Sequence, residues 1–168
     1  FSIVLPEKAF VAQMPRPAPM RQLETTVRGV RVLILDDDPL IVSALTQDLE
    51  DRGNVAFGYQ NAAEAEAALD HGLVIDAAVL DYDLRGLESG LEFIKRMAAK
   101  SGSEIPCVLL SGGTDSATLA VLAKSGRPWL TKPADPELIA ATLGAILKDH
   151  KAVRFGADAD FGANVNAG

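Results

Sequence analysis

From Val30 onward, short apolar runs alternate with longer segments in which apolar residues return every three or four positions. Val32-Leu33-Ile34-Leu35 is apolar without a break and stops at Asp36-Asp37-Asp38. A strand that is apolar on both faces belongs inside a parallel sheet covered on both sides. Ile41, Leu45 and Leu49 then recur at helical spacing, with Pro39 suited to a first turn and Gly53 as the stop. The spacing next predicts a strand over Val55–Tyr59, an Ala-rich helix over Ala62–Leu69, and a strand over Ile75–Leu80 closed by Asp81. A helix follows over Gly90–Lys100, with Leu91, Ile94, Met97 and Ala98 on its buried face, and then a strand over Ile105–Leu110 closed by Ser111-Gly112-Gly113. Last come a helix over Thr114–Lys124 capped by Thr114 or Asp115, a short strand over Pro128–Thr131, and a helix over Asp135–Lys148. Five strands alternating with five helices predict an open parallel α/β sheet with helices on both faces.

The flanks read differently. Phe1-Ser2-Ile3-Val4-Leu5 is strand-like up to Pro6, and the Pro-rich run from Met14 to Met20 reads as an extended linker. Val153–Gly168 is mostly Gly, Ala, Asn and Asp, with no period. The expected organisation is therefore an N-terminal extension and linker over 1–29, one domain over 30–150, and a flexible tail over 151–168. The chain does not begin with Met, and it reads as a fragment or a processed product.

Composition narrows the function classes. A net charge of −7 disfavours direct binding to nucleic acid or to a membrane surface. One Cys rules out an internal disulfide and a cysteine zinc cluster. No apolar run approaches the roughly 18 residues of a membrane span. The expected compartment is the cytoplasm. Cys107 reads as a small core residue, His71 near a helix C-terminus reads as structural, and His150 has no acid–base partner in the sequence pattern.

Ligands of open parallel sheets sit at the carboxyl ends of the strands, so the residues there matter most. They are Asp36 and Asp37, Asp81, Ser111 and Lys132. Taken singly, an Asp after a strand is a turn residue or a helix cap, and Asp38 before Pro39 fits that description. Together, three carboxylates, a hydroxyl and an ammonium fall at strand ends in one register. Crowded carboxylates imply a cation, and all-oxygen ligation favours Mg²⁺. Lys132 offers a point charge to an anion and Ser111 a hydrogen-bond donor. The set suits in-line phosphoryl transfer to a carboxylate.

These residues resemble the response-regulator receiver domain. The resemblance runs from about Val30 to about His150 and includes Val32-Leu33-Ile34-Leu35-Asp36-Asp37-Asp38-Pro39, Ala78-Val79-Leu80-Asp81, Val108-Leu109-Leu110-Ser111-Gly112 and Trp129-Leu130-Thr131-Lys132-Pro133. Each motif is weak alone, and the ordered set is specific. It implies a flavodoxin-like sheet of order 2-1-3-4-5, the order given for this fold family in general. It implies Asp81 as phosphoacceptor, Asp37 as direct Mg²⁺ ligand with Asp36 assisting through water, and the backbone carbonyl of Asp83 on the metal. It further implies Ser111 and Lys132 on the phosphoryl group, with Ser111 and Trp129 as the switch pair. Receivers catalyse their own phosphorylation and dephosphorylation. The implied partners are a kinase phosphohistidine domain and a histidine phosphotransfer protein, contacted through the fourth helix, fifth strand and fifth helix. A homodimer is left open.

The chain departs from the family after Asp81. It reads Tyr82-Asp83-Leu84-Arg85-Gly86-Leu87-Glu88-Ser89-Gly90, without the usual Met-Pro step and with one extra residue, so Arg85 or Glu88 can reach the site. Ser111 replaces the commoner Thr, and Trp129 the commoner Tyr or Phe. Phe1–Pro6 resembles the last strand of the ATP-binding domain of sensor histidine kinases. With the linker and the receiver it suggests a hybrid kinase, a parent chain that allows a membrane anchor. No second domain is expected after Lys148 within this fragment, so a direct DNA-binding output is not expected in it.

Two rival readings remain. Asp81-Tyr82-Asp83 also fits a phosphatase of the haloacid dehalogenase type, but that family wants an acid pair after the Lys, and here the pair precedes the nucleophile. An interaction module that kept the fold without phosphorylation is the other. A dinucleotide-binding fold is excluded because no Gly-x-Gly-x-x-Gly follows the first strand.

Overall fold

The computed structural model describes residues 28–85, 88–113 and 115–158, with side chains as far as residue 151. The expectations for residues 1–27, for Thr114 as a cap and for the last ten residues of the tail lie outside the described residues. The elements are β1 (Arg31–Leu35), α1 (Pro39–Asp51), β2 (Val55–Tyr59), α2 (Ala62–Asp70), β3 (Ala77–Asp81), α3 (Gly90–Ser101), β4 (Cys107–Ser111), α4 (Ser116–Lys124), β5 (Trp129–Thr131) and α5 (Pro136–Asp158). The five strands form one parallel sheet of order β2-β1-β3-β4-β5. Each crossover is a helix, as parallel pairing demands.

The unbroken apolar runs do what their pattern predicts. In β1, Val32 and Ile34 face one side and pack with Leu45 and Leu49 of α1 and Ile139, Leu143 and Leu147 of α5. Leu33 and Leu35 face the other side, against Ala65 of α2, Phe93, Ile94 and Met97 of α3, and Leu122 of α4. All five residues of β3 and all five of β4 are buried, Cys107 among them, so the centre of the sheet is dry on both faces.

Local chemistry sets the helix starts. Asp38 caps α1 by accepting from Leu40 N–H at 2.9 Å, and Asp115 caps α4 by accepting from Thr118 N–H at 2.8 Å. A capping box opens α3: Ser89 N–H donates to Glu92 Oε2 at 2.7 Å, and Glu92 N–H donates to Ser89 Oγ at 3.3 Å. Gly102 ends α3 with φ of 67°, a left-handed turn that suits glycine.

Two expectations need correction. The last helix does not stop at Lys148 but continues to Asp158, because the stretch after Lys148 contains no Pro and no Gly before Gly156. Residues 151–158 of the expected flexible tail are therefore helical. On α3 the fully buried apolar side chains are Leu91, Phe93, Ile94 and Met97, whereas Ala98 is only half-buried. Phe93 completes the stripe because helical crowding widens a buried face beyond strict spacing.

The lower end of the sheet is clamped reciprocally. Arg31 N–H and Nε donate to Asp76 Oδ2 at 2.9 and 3.0 Å, Arg31 Nη2 donates to Oδ1 at 2.8 Å, and Asp76 N–H donates to the Arg31 carbonyl at 2.8 Å. The Arg31 hydrogen bonds hold the Asp76 carboxyl below its ordinary value of 3.8, against the opposing effect of burial. A depressed carboxyl contributes stability that is present above its unfolded pKa and lost as pH falls through the folded one. Asp76→Asn should therefore flatten the acid limb of stability against pH, read as urea midpoints below the ordinary value of 3.8. An unchanged acid slope would show that the clamp does not titrate with folding.

Candidate functional site

Strand register builds the site. Leu35 of β1 pairs with Leu80 of β3, so the residues that follow, Asp36 and Asp81, emerge side by side. Asp81 pairs with Leu110, which sets Ser111 one residue beyond it, and Ser111 pairs with Thr131, which sets Lys132 beyond that. Backbone bonds extend the ladder past the strands: Asp36 N–H donates to the Tyr59 carbonyl at 3.2 Å, Tyr82 N–H to Leu110 at 2.7 Å, and Lys132 N–H to Ser111 at 2.8 Å. The Lys132–Pro133 peptide is cis. The ladder bonds fix the backbone positions from which Asp36, Asp81, Ser111 and Lys132 emerge.

The side chains converge accordingly. Asp36 is 1% exposed, Asp81 4% and Ser111 0%, so three polar groups are buried at the sheet edge. Lys132 Nζ donates to Asp36 Oδ2 at 2.6 Å and lies 2.9 Å from Asp81 Oδ2. Asp36 Oδ1 accepts from Asp38 N–H at 2.9 Å, and Asp81 Oδ1 accepts from Asp83 N–H at 3.1 Å. Ser111 Oγ accepts from Gly113 N–H at 3.2 Å, which leaves the hydroxyl proton for another acceptor.

Asp37 is engaged by a different cation: Arg85 Nε forms an ion pair with Asp37 Oδ2. Of the two loop residues expected to reach the site, Arg85 does so. Glu88 instead pairs with Arg96 of α3, which also pairs with Glu66 of α2. Trp129 lies half-buried against the cluster formed by α2, α3 and α4.

The electrostatics reflect crowding. Burial pushes the Asp36 carboxyl above its ordinary value, and the hydrogen bond from Lys132 offsets that only in part. Burial followed by the charge of Asp81 pushes the Asp83 carboxyl up as well. For Lys132, burial acts to lower the ammonium's pKa, but the hydrogen bonds to Asp36 and Asp81 outweigh it and the net direction is upward. Ligand oxygens of Asp36, Asp37 and Asp81 all lie within 4.8 Å of one another, close enough to share one cation. A set of hard carboxylate oxygens fits Mg²⁺.

The fold and this constellation define a signalling receiver, and the chain belongs to the response regulator receiver domain family, which it matches over residues 32–144. It is therefore a module of two-component signalling. It is 30% identical over 120 residues to the transcriptional regulatory protein TcrA of Mycobacterium tuberculosis, covering 71% of this chain and 47% of that protein. Against the virulence transcriptional regulatory protein PhoP of Salmonella typhimurium it is 30% identical over 122 residues, covering 71% and 52%. The chain thus spans about half the length of these curated relatives. Among solved structures, the receiver domain of the Francisella response regulator 1452 superposes with a TM-score of 0.63 at 23% identity, covering 73% of this chain and 99% of that one. The signal receiver domain of a modulated diguanylate cyclase from Desulfovibrio desulfuricans gives 0.64 at 25% identity, covering 74% and 98%. These likenesses accord with the receiver fold described here, a five-stranded sheet of order β2-β1-β3-β4-β5. Among the described residues no helix is long and apolar enough to cross a membrane.

Proposed function

We propose that this receiver accepts a phosphoryl group from a phosphohistidine onto Asp81 and uses the modified state to switch or relay a signal. The observation that carries this reading is the position of Asp81. It is a buried carboxylate with one oxygen on Lys132 and the other on a backbone N–H, beside Ser111 and two further acids. In the proposed step an Asp81 oxygen forms the new bond to phosphorus as the phosphorus–nitrogen bond to the donor histidine breaks. The imidazole leaves with the electron pair and takes up a proton. Lys132 and the free hydroxyl proton of Ser111 face the phosphoryl oxygens on which charge resides. Asp36, Asp37 and Asp81, with the carbonyl of Asp83, would hold Mg²⁺, which when bound neutralises charge on the phosphoryl oxygens. Ser111 and Trp129 follow as the residues that report phosphorylation to the face formed by α4, β5 and α5.

The donor in this reading is a histidine kinase or a histidine phosphotransfer protein, on the cytoplasmic side. Placement within a hybrid kinase rests on Phe1–Pro6 and the Pro-rich linker. The relatives named above are transcriptional regulators, which makes a receiver coupled to a DNA-binding output the second reading.

The test is an intact-mass spectrum after incubation with a small-molecule phosphodonor, with and without Mg²⁺, on wild type and Asp81→Asn. One Mg²⁺-dependent phosphoryl adduct is expected in the wild type and none in the variant. An adduct that survives Asp81→Asn would move the acceptor elsewhere. No adduct in either protein would favour a receiver that acts without phosphorylation.

A further inference from the structure

We propose that Arg85 is a built-in counter-cation that holds Asp37 in the metal-free protein and competes with a divalent cation for that carboxylate. The inference rests on the reading that Asp36, Asp37 and Asp81 hold the metal. It starts from how charge is shared among the three acids. Lys132 bonds Asp36 and Asp81, and among the described residues it has no bond to Asp37. Arg85 takes Asp37 instead, so the cluster is compensated by two cations from two different loops.

The two cations differ in kind. The Lys132 side chain is 20% exposed and is wedged between buried carboxylates. The Arg85 side chain is 87% exposed, whereas Asp37 is only 18% exposed. The guanidinium therefore docks from solvent onto a carboxylate that belongs to the site, and leaving it returns a hydrated arginine to water at little cost. A divalent ion ligated by Asp37 would bring two positive charges against the guanidinium, so the two cations exclude each other. Arg85 lies in the loop between β3 and α3, where the sequence departs from the family pattern. The far end of that loop is anchored by the Glu88–Arg96 ion pair. A displaced Arg85 thus stays tethered beside the site and returns when the metal leaves. Arg85 acts here on metal occupancy, not on the reacting atoms.

The measurement is Mg²⁺ affinity by isothermal titration calorimetry with magnesium chloride alone, on wild type, Arg85→Ala, Arg85→Lys and Asp37→Asn. Arg85→Ala should bind Mg²⁺ about two- to fivefold more tightly, the range set by an exposed ion pair. Arg85→Lys should stay near wild type. The gap between wild type and Arg85→Ala should narrow in high salt, which screens the pair. Suppose wild type binds Mg²⁺, Asp37→Asn loses it and Arg85→Ala is unchanged or weaker. Then the metal reading stands and the role given to Arg85 is overturned. If wild type and Arg85→Ala both fail to bind, or Asp37→Asn binds as well as wild type, the metal reading itself fails and this inference with it.

Discussion

Lys132→Met should lower the stability of the metal-free domain by about 3 kcal/mol, as expected when one partner of a largely buried ion pair is removed. The variant keeps the aliphatic stem but leaves the buried Asp36 and Asp81 facing each other without their ammonium. Mg²⁺ should restore more stability to the variant than it adds to wild type, since a divalent ion supplies the missing charge. The lysine's raised pKa defines a pH window. Its contribution is fully present below the ordinary value of 10.5 and is lost as pH rises through the higher folded value. The gap between wild type and Lys132→Met should therefore stay level across neutral pH and close only in strong alkali. Phosphorylation by a small-molecule donor should slow by about 10²-fold, the usual cost of removing one preorganised electrostatic contact. Urea denaturation with and without Mg²⁺, beside adduct formation timed by mass, reads all three effects. A variant as stable as wild type without metal would show that the acids do not depend on Lys132.

Gly90→Ala should be the most damaging single-methyl change near the site. A Cβ on Gly90 would sit 2.1 Å from the carbonyl oxygen of Asp81 and 3.2 Å from Leu80 Cβ. Both neighbours are strand atoms that cannot turn aside as a flexible side chain could. The first turn of α3 would have to lift off β3, which also strains the bond from Gly90 N–H to the Tyr82 carbonyl at 3.2 Å. Overpacking of this kind costs roughly 1–3 kcal/mol. Because the obstructed atom belongs to Asp81, phosphorylation should fall together with the urea midpoint. A control at Gly112, where a Cβ would meet nothing within 4 Å, should leave the midpoint near wild type. Equal midpoints for Gly90→Ala and wild type would mean that α3 shifts without cost.

Most of the fold was legible because central strands apolar on both faces alternate with amphipathic helices, the pattern of a doubly covered parallel sheet. Element ends came within two residues apart from that of α5, where nothing in the sequence marks a stop before Gly156. The strand-end residues were legible for the same reason: parallel register carries Asp36, Asp81, Ser111 and Lys132 to one edge. Pairings between surface charges were not. Arg96 with Glu66 and Glu88, and Lys100 with Glu66 and Asp70, join α2, α3 and the β3–α3 loop across up to 34 residues of sequence. Long side chains on separate elements find partners by packing geometry, which no local spacing encodes. The sequence placed Arg85 and Glu88 equally near the site; in the structure Arg85 pairs with Asp37 and Glu88 with Arg96.

Asp36 and Lys132 stand 96 residues apart, and the ammonium arrives on the far side of β5, the three-residue edge strand made last. A nascent chain that has emerged only as far as α4 carries its acids without their lysine. Such a half-made domain has no neutralised pocket to offer a phosphohistidine, and its exposed β4 edge is open to wrong pairings. On the proposed reading, competence for phosphorylation would therefore wait until β5 and Lys132 have been made and folded onto the sheet.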